Sequence, residues 1–315
     1  MEITRVCVIG GSGFVGSHVA HLLSAQRYLV RVPTRHRERA KSLILLPTVD
    51  VIEADVHDET QLAGLVRGMD AVINLAGILH GGRGADSFEQ LHVELTRKVI
   101  AACQAAGVRR LVHMSALAAD AQAPSRYLRS KGAAEDLVRA SDLDWSILRP
   151  SVIYGRGDKF LNRFAVMLEA MPVLLLPCPQ VRFQPVFVED VALACVRGLT
   201  ERSAFCATYD LCGPTVHTLR ELIQIVARVV GRRPPVIGLG RTLSYLQACM
   251  LELLPMKLMT RDNYRSMKID SVSSAAFPFG IRPAAIEAII PGYLGNAAPR
   301  ARYRSYRDHA GRAAS

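Results

Sequence analysis

Through the first 150 residues, short uninterrupted apolar runs alternate with longer stretches in which apolar residues return every three or four positions. Residues 5–9 (RVCVI) form a continuous run, as a strand buried on both faces requires. After a cluster of glycines, Phe14, Val15, His18, Val19, Leu22 and Leu23 fall at helical intervals. Runs at 28–32, 49–53, 71–75, 111–114 and 145–148 continue the strand series. Stretches at 35–46, 59–67, 88–106 and 125–140 read as the helices between them. Parallel strands need a long crossover, usually helical, so this alternation predicts an α/β fold on a doubly wound parallel sheet.

The rhythm changes after Pro150. Helices are expected at 158–170, 189–199 and 219–230, strands at 182–187 and 208–211, and an irregular apolar stretch at 172–179. The expected organisation is a sheet domain over 1–150, a smaller, partly interleaved C-terminal lobe over 151–295, and a basic, disordered tail over 296–315. The stretch 243–259 is apolar with few charges. It reads as a core or lobe-covering helix, with a membrane-surface helix as the alternative.

Half of the 315 residues are hydrophobic and 21% are charged, a balance that supports a core and carries no signature of disorder. No stretch approaches the roughly 20 apolar residues of a membrane span. The first residues lack the basic region, apolar segment and cleavage site of a secretory leader, so the cytoplasm is the expected location. The seven cysteines (Cys7, Cys103, Cys178, Cys195, Cys206, Cys212 and Cys249) include no C-x-x-C pair. They read as small core residues, and no metal is expected. The net charge of +11 is concentrated at two places. Six bases lie between Arg27 and Lys41 against Glu38, and five arginines follow residue 299 against Asp308. Such clusters suit phosphorylated small molecules, anionic lipid or nucleic acid.

Gly10-Gly11-Ser12-Gly13-Phe14-Val15-Gly16 stands between the first strand and the first helix. In that place the spacing Gly10-x-x-Gly13-x-x-Gly16 has a mechanical reading. Gly10 permits a tight turn, Gly13 lets the backbone approach a pyrophosphate, and Gly16 lets the helix pack close to the sheet. The free N–H groups at the helix start then face the phosphates. An NAD site expects an acid at the end of the second strand to hold the ribose 2′-hydroxyl, whereas Pro33-Thr34-Arg35-His36-Arg37 has none. The sequence therefore predicts NADPH over NADH, with Arg35 on the 2′-phosphate and Arg37 in support. Asp55-Val56 after the third strand suits the adenine, and Leu75-Ala76-Gly77 at the end of the fourth lets a cofactor lie across the strand ends. Arg149-Pro150 directs the chain out of the sheet beside the nicotinamide.

Ser115 ends the fifth strand, and Tyr127 and Lys131, four residues apart, share one face of the next helix. Free tyrosine titrates near pH 10, and a lysine cation beside it favours the phenolate. Ser115 is then expected to hold a substrate oxygen while Tyr127 exchanges its proton. His80, His92 and His113 share no metal-like spacing and read as packed or solvent-exposed. Asp190 reads as a helix anchor.

Gly10-x-x-Gly13-Phe14-x-Gly16, Asn74-x-Ala76-Gly77, Ser115, Tyr127-x-x-x-Lys131 and Leu148-Arg149-Pro150 together resemble the extended or atypical short-chain dehydrogenase/reductases, which are NAD-dependent epimerase/dehydratase-like. The resemblance covers most of the chain. It implies a Rossmann sheet and activities that range over epimerases, dehydratases and reductases. Residues 43–54 (LILLPTVDVIEA), 153–162 (IYGRGDKFLN) and 184–192 (QPVFVEDVA) are more specific. They resemble the subgroup containing the NADPH-binding accessory subunit of respiratory complex I and its bacterial relatives. That resemblance implies a tightly held nucleotide, and association with a respiratory complex, quinone or the inner face of the membrane.

Three readings stand at this point. One is an NADPH-dependent enzyme acting on a carbonyl or secondary alcohol through Ser115, Tyr127 and Lys131. Another is a non-catalytic, NADPH-holding structural or assembly protein. The third, a redox-sensing regulator that binds nucleic acid through its basic segments, ranks last because nothing here resembles a recognition helix and the Tyr127–Lys131 pair would be unnecessary.

Overall fold

The computed structural model describes residues 3–294 except 80, 83, 85–86, 233 and 254–258, together with the side chain of Arg39. The expected tail, 296–315, and His80 lie outside the described residues. The first half runs β1 (Arg5–Ile9), α1 (Phe14–Ala25), β2 (Leu29–Thr34), α2 (Lys41–Ile44), β3 (Val49–Glu53), α3 (Glu59–Val66), β4 (Ala71–Asn74), α4 (Leu95–Ala106), β5 (Arg110–Met114), α5 (Arg126–Arg139) and β6 (Asp144–Pro150). The second half continues with β7 (Ile153–Tyr154), α6 (Leu161–Ala170), β8 (Leu174–Leu176), β9 (Arg182–Phe183), β10 (Val186–Phe187), α7 (Val188–Thr200) and β11 (Ala207–Leu211). It ends with β12 (His217–Thr218), α8 (Leu219–Val230), β13 (Val236–Gly238), α9 (Arg241–Glu252), α10 (Arg261–Ser266) and α11 (Ile286–Ile289).

Seven strands form one sheet in the order β11-β6-β5-β4-β1-β2-β3, every neighbouring pair parallel. The order reverses between β1 and β4, which opens a crevice at the carboxyl ends of the strands. Strand β1 shows why its sequence is uniformly apolar after the exposed Arg5 that opens it. Val6 and Val8 join one core with Val19 and Leu23 of α1, while Cys7 and Ile9 join the opposite core with Leu62 of α3 and Leu95 of α4. Both faces are covered, so no position is left for a polar residue. The chain returns to this sheet after α7, where β11 pairs with β6. A separate core lies between α6 and α8, around Leu161, Leu168, Leu222 and Val226.

Helix α8 has the expected bounds. A capping box between Thr218 and Glu221 starts it, and Gly231 at φ 74° ends it. The expected helix at 35–46 is instead a 3-10 turn, Arg37–Ala40, followed by the single turn of α2. Like-charged neighbours oppose the longer helix, and only Ala40 and Leu43 are buried to anchor it. The expected strand at 182–187 is split into β9 and β10 around Pro185, which has no N–H to donate. Within 172–179, β8 pairs with β13. Helix α9 departs most from expectation: its fully buried residues are small, Leu251 is half-buried beside them, and most of its large apolar side chains face outward. Four of the cysteines are buried, two are partly exposed and Cys206 is exposed. At the far end of the sheet Arg110 is 4% exposed. It donates to the carbonyls of Asp144, Gly198 and Leu199 and to Ser146 Oγ, tying β5 to β6 and α7.

Candidate functional site

The turn after β1 is built from backbone that side chains would exclude. Gly10 has φ +79°, and a Cβ there would lie 3.0 Å from Ala76 N. At Gly16 a Cβ would lie 2.2 Å from Gly10 O and 2.5 Å from Gly11 Cα, so α1 starts against the turn only because this residue is glycine. Gly13 is the N-cap of α1, with no side chain capping the helix and no acid in its first turn. The orphan N–H groups and the positive end of α1 are thus left to an anion. This cradle fits the pyrophosphate of a dinucleotide. Ser12, Phe14 and Val15 line the same turn, and Phe14 meets His18 edge-on at 5.9 Å.

The other expected contacts lie around the same crevice. Arg35 and Arg37 follow β2 and are exposed; the first acid after that strand, Glu38, pairs with Lys41 at 2.7 Å. Asp55 follows β3 and accepts from the His57 N–H at 3.0 Å, with Val56 beside it. Asn74, at the end of β4, accepts from the Ala76 N–H at 3.2 Å and curls the chain through Leu75, Ala76 and Gly77. A Cβ on Gly77 would lie 3.2 Å from Lys131 Nζ and 3.4 Å from His92 Nε2. Pro150 is buried at the end of β6, in register with Leu211.

Helix α5 carries Tyr127 and Lys131. Its first turn is capped by Ser125, which accepts from the Leu128 N–H, and by Asp262 of α10, which accepts from the N–H groups of Arg126 at 2.8 Å and Tyr127 at 3.1 Å. Lys131 is 4% exposed, and its Nζ donates to Met114 O at 2.9 Å. Burial pulls its pKa down to about 8, with Glu135 opposing. Tyr127 is half-buried against Phe88 and His92, and desolvation pushes its phenol up to about 12. Burial is the one cause acting on this phenol, and the expected lowering by Lys131 is not seen. Ser115, one residue beyond Met114, is 3% exposed, and its Oγ has no hydrogen-bond partner. Leaving a buried hydroxyl unpaired costs roughly 1–3 kcal/mol, which a ligand atom bonded to it would offset.

His92 belongs to the site, although its spacing carried no such signal. It is 1% exposed on a π-helical turn, Glu89–Glu94, that leads into α4. Its Nε2 accepts from the Ile78 N–H at 3.1 Å, so the proton is on Nδ1, which donates to Ser130 Oγ at 2.8 Å. Ser130 in turn donates to Tyr127 O at 2.8 Å. One chain of hydrogen bonds thus runs from the β4 loop through His92 to α5. Beyond Lys131, buried Glu135 accepts from Arg149 Nε of β6 at 2.7 Å and fixes the helix against the sheet. A cleft of about 250 Å³ lies beside Tyr127, lined by Phe88, Arg126, Glu252, Arg261, Asp262 and Arg265 among others. Among the described residues, no group of three His, Cys, Asp or Glu is placed to hold a metal ion. No described helix is long and apolar enough to cross a membrane.

Residues 10–163 match the NAD(P)H-binding family model. The chain is 32% identical over 239 residues to the mitochondrial NADH dehydrogenase (ubiquinone) 1 alpha subcomplex subunit 9 of Arabidopsis thaliana, covering 74% of this chain and 59% of that protein. The mouse counterpart is also matched over 59% of its length, so the chain spans about three-fifths of these relatives. It is 30% identical over 241 residues to ceramide reductase of Caulobacter vibrioides, covering 74% of this chain and 73% of that one. Among solved structures, the NADPH-dependent quinone oxidoreductase QOR2 of Escherichia coli, complexed with NADPH, superposes with a TM-score of 0.73 at 18% identity, covering 90% of this chain and 97% of that one. The dTDP-glucose 4,6-dehydratase DesIV of Streptomyces venezuelae superposes with the same TM-score at 23% identity, covering 97% of this chain and 98% of that one. Those two likenesses show the fold, a Rossmann-like sheet shared with reductases and dehydratases. The chain belongs to the NAD(P)-binding, extended or atypical short-chain dehydrogenase/reductases, with ceramide reductase and the complex I alpha subcomplex subunit 9 proteins among its relatives.

Proposed function

We propose that this protein is an NADPH-dependent oxidoreductase acting on a carbonyl or secondary-alcohol substrate, with Ser115, Tyr127 and Lys131 as its catalytic residues. The observation that carries this reading is the buried, unpartnered Ser115 hydroxyl, one residue from the carbonyl that holds Lys131. When bound, the nicotinamide dinucleotide supplies or takes up the hydride. Ser115 donates to the substrate oxygen, Tyr127 passes that oxygen its proton as a carbonyl becomes an alcohol, and Lys131 holds positive charge beside them. Gly10, Gly11, Ser12, Gly13, Phe14, Val15 and Gly16 take the pyrophosphate, and Asp55 and Val56 take the adenine. Leu75, Ala76, Gly77 and Pro150 flank the nicotinamide half. The choice of NADPH rests on Arg35 and Arg37, exposed after β2 where an NAD site needs an acid. Residues 1–150 carry the nucleotide and 151–295 meet the substrate, a small molecule or a quinone. Turnover by the wild type that Tyr127→Phe lowers by about a hundredfold or more, with NADPH still bound, is the expected result. Equal turnover in the two proteins sinks the catalytic assignment.

The kinship with complex I subunits favours a second reading, a tightly held NADPH that stabilises a protein at a respiratory complex on the inner face of the membrane. Native mass spectrometry with a chase of labelled NADPH separates the two. Nucleotide retained through the chase, with no turnover, favours the structural role; rapid exchange favours a co-substrate.

A further inference from the structure

Helix α9 buries only Ser244 and Ala248. These small residues let it lie close to Met259 and Tyr264. Polar contacts complete its seat, with Tyr264 Oη donating to Arg241 O at 3.2 Å and Gln247 Nε2 donating to Leu175 O at 3.1 Å. Leu251 packs half-buried on the same side, and the other large apolar side chains point the other way. Leu243, Leu246, Met250 and Leu253 recur at spacings of three and four and are each more than half exposed, Leu253 at 86%. Leu175 of β8 and Ile237 of β13 are register partners, so they share a face of their small sheet, and both are exposed beside the strand that Gln247 holds. The result is an outward apolar stripe on α9, with exposed apolar residues on the sheet that Gln247 joins to it.

Along the stretch of chain that leads into and forms this stripe, the charge has one sign. Residues 222–251 contain four arginines and no Asp or Glu. Arg228, Arg232 and Arg241 are exposed. The next two acids are engaged within the protein, Glu252 with Arg261 at 2.7 Å and Asp262 on the N–H groups that start α5. The stripe also ends at the cleft, because Glu252 at the end of α9 and Arg261, Asp262 and Arg265 of α10 line it.

We propose that α9, with the β8–β13 edge, docks this protein on an anionic lipid surface, the helix lying among the headgroups and the mouth of the cleft beside them. The proposal rests on the membrane-peripheral part of the reading above and assigns it a surface. An apolar helical face headed by the exposed Arg241, in a stretch of chain with arginines and no acid, is the pattern of an interfacial helix. Charge selects lipid over a second copy, since two such faces would set their arginines against each other while headgroup phosphates complement them.

The test is co-sedimentation of the full chain with phosphatidylcholine vesicles carrying about one-third phosphatidylglycerol, or none. The wild type is expected to pellet with the anionic vesicles. Leu246→Gln/Met250→Gln is expected to lower the partition constant by about tenfold or more, with an unchanged melting temperature because both side chains are exposed. Arg228→Glu/Arg241→Glu is expected to weaken binding to the anionic vesicles alone. A wild type that stays in the supernatant, or partitioning that neither double variant alters, overturns the proposal. So does a wild-type dimer on size exclusion that the apolar variant converts to monomer, which would make the face a contact between copies. NADPH titration of the same proteins is a separate readout: the variants are expected to bind NADPH as the wild type does, and a wild type that binds vesicles but no NADPH overturns the cofactor reading alone.

Discussion

Lys131 and His92 share a dry corner of the crevice, and burial acts against the charged form of each. Lys131 falls to about 8, His92 to about 2 and His113 to about 3. Both histidines stay neutral in the folded protein, while the unfolded chain takes up their protons near 6.5. Their folded values lie below the unfolded one, so this stabilisation is complete above pH 6.5 and is lost as pH falls toward the folded values. His92→Gln keeps an acceptor for the Ile78 N–H but cannot titrate. It is expected to reduce the acid sensitivity of stability by about 1.4 kcal/mol per pH unit below the unfolded value, as read from urea unfolding at pH 6.5 and at a value about two units lower. Identical pH slopes in the two proteins would show that His92 does not contribute. Tyr127 and Lys131 were legible from their spacing because both lie on one helix. His92 was not, because its role comes from Ile78 and Ser130, which belong to other segments, and no local spacing encodes that meeting.

Helix α5 works as a mount for the candidate chemistry. Asp262 caps it from α10, Glu135 pins it to Arg149 of β6, and Gly132 sets how closely it approaches the loop before it. A Cβ on Gly132 would lie 2.5 Å from Asp120 C and 2.7 Å from Ala121 N, backbone atoms that cannot swing aside. Gly132→Ala is therefore expected to push α5 outward, costing about 1–3 kcal/mol of stability. It is also expected to weaken NADPH binding beyond that loss, as Lys131 leaves Gly77. Urea unfolding beside an NADPH titration checks both effects; a variant that unfolds and binds as the wild type does would show the helix has room. The helix itself was readable over 125–140 from its amphipathic spacing, and the observed Arg126–Arg139 lies within that range. Its borrowed cap was not readable, since Asp262 lies 136 residues from Arg126. At α9 the apolar content was legible but its direction was not. Composition cannot tell a helix that buries most of its leucines from one that buries Ser244 and Ala248 and turns Leu243 and Leu246 outward.

Across the whole molecule, a nucleotide in the crevice would touch the ends of several strands of the sheet and the start of α1, so it would bind only the folded chain. A ligand at about 100 times its dissociation constant adds about 2.7 kcal/mol to stability. NADPH is therefore expected to raise the melting temperature. Arg35→Glu is expected to shrink that rise for NADPH while leaving any rise with NADH in place, by thermal unfolding with each nucleotide. An unchanged NADPH shift in the variant would remove Arg35 from the site. The sequence alone was sufficient for the alternating strands and helices, the glycine turn and the Tyr127–Lys131 pair. Each depends on periodicity or spacing within a few residues, and backbone geometry turns that directly into local structure. Only the tertiary structure decided that β11 returns to close the sheet and that 35–46 is broken. It alone also showed that His92 and Asp262 support α5 and that α9 faces outward. These depend on which distant segments come together, and on whether burying a side chain there costs less than leaving it in water.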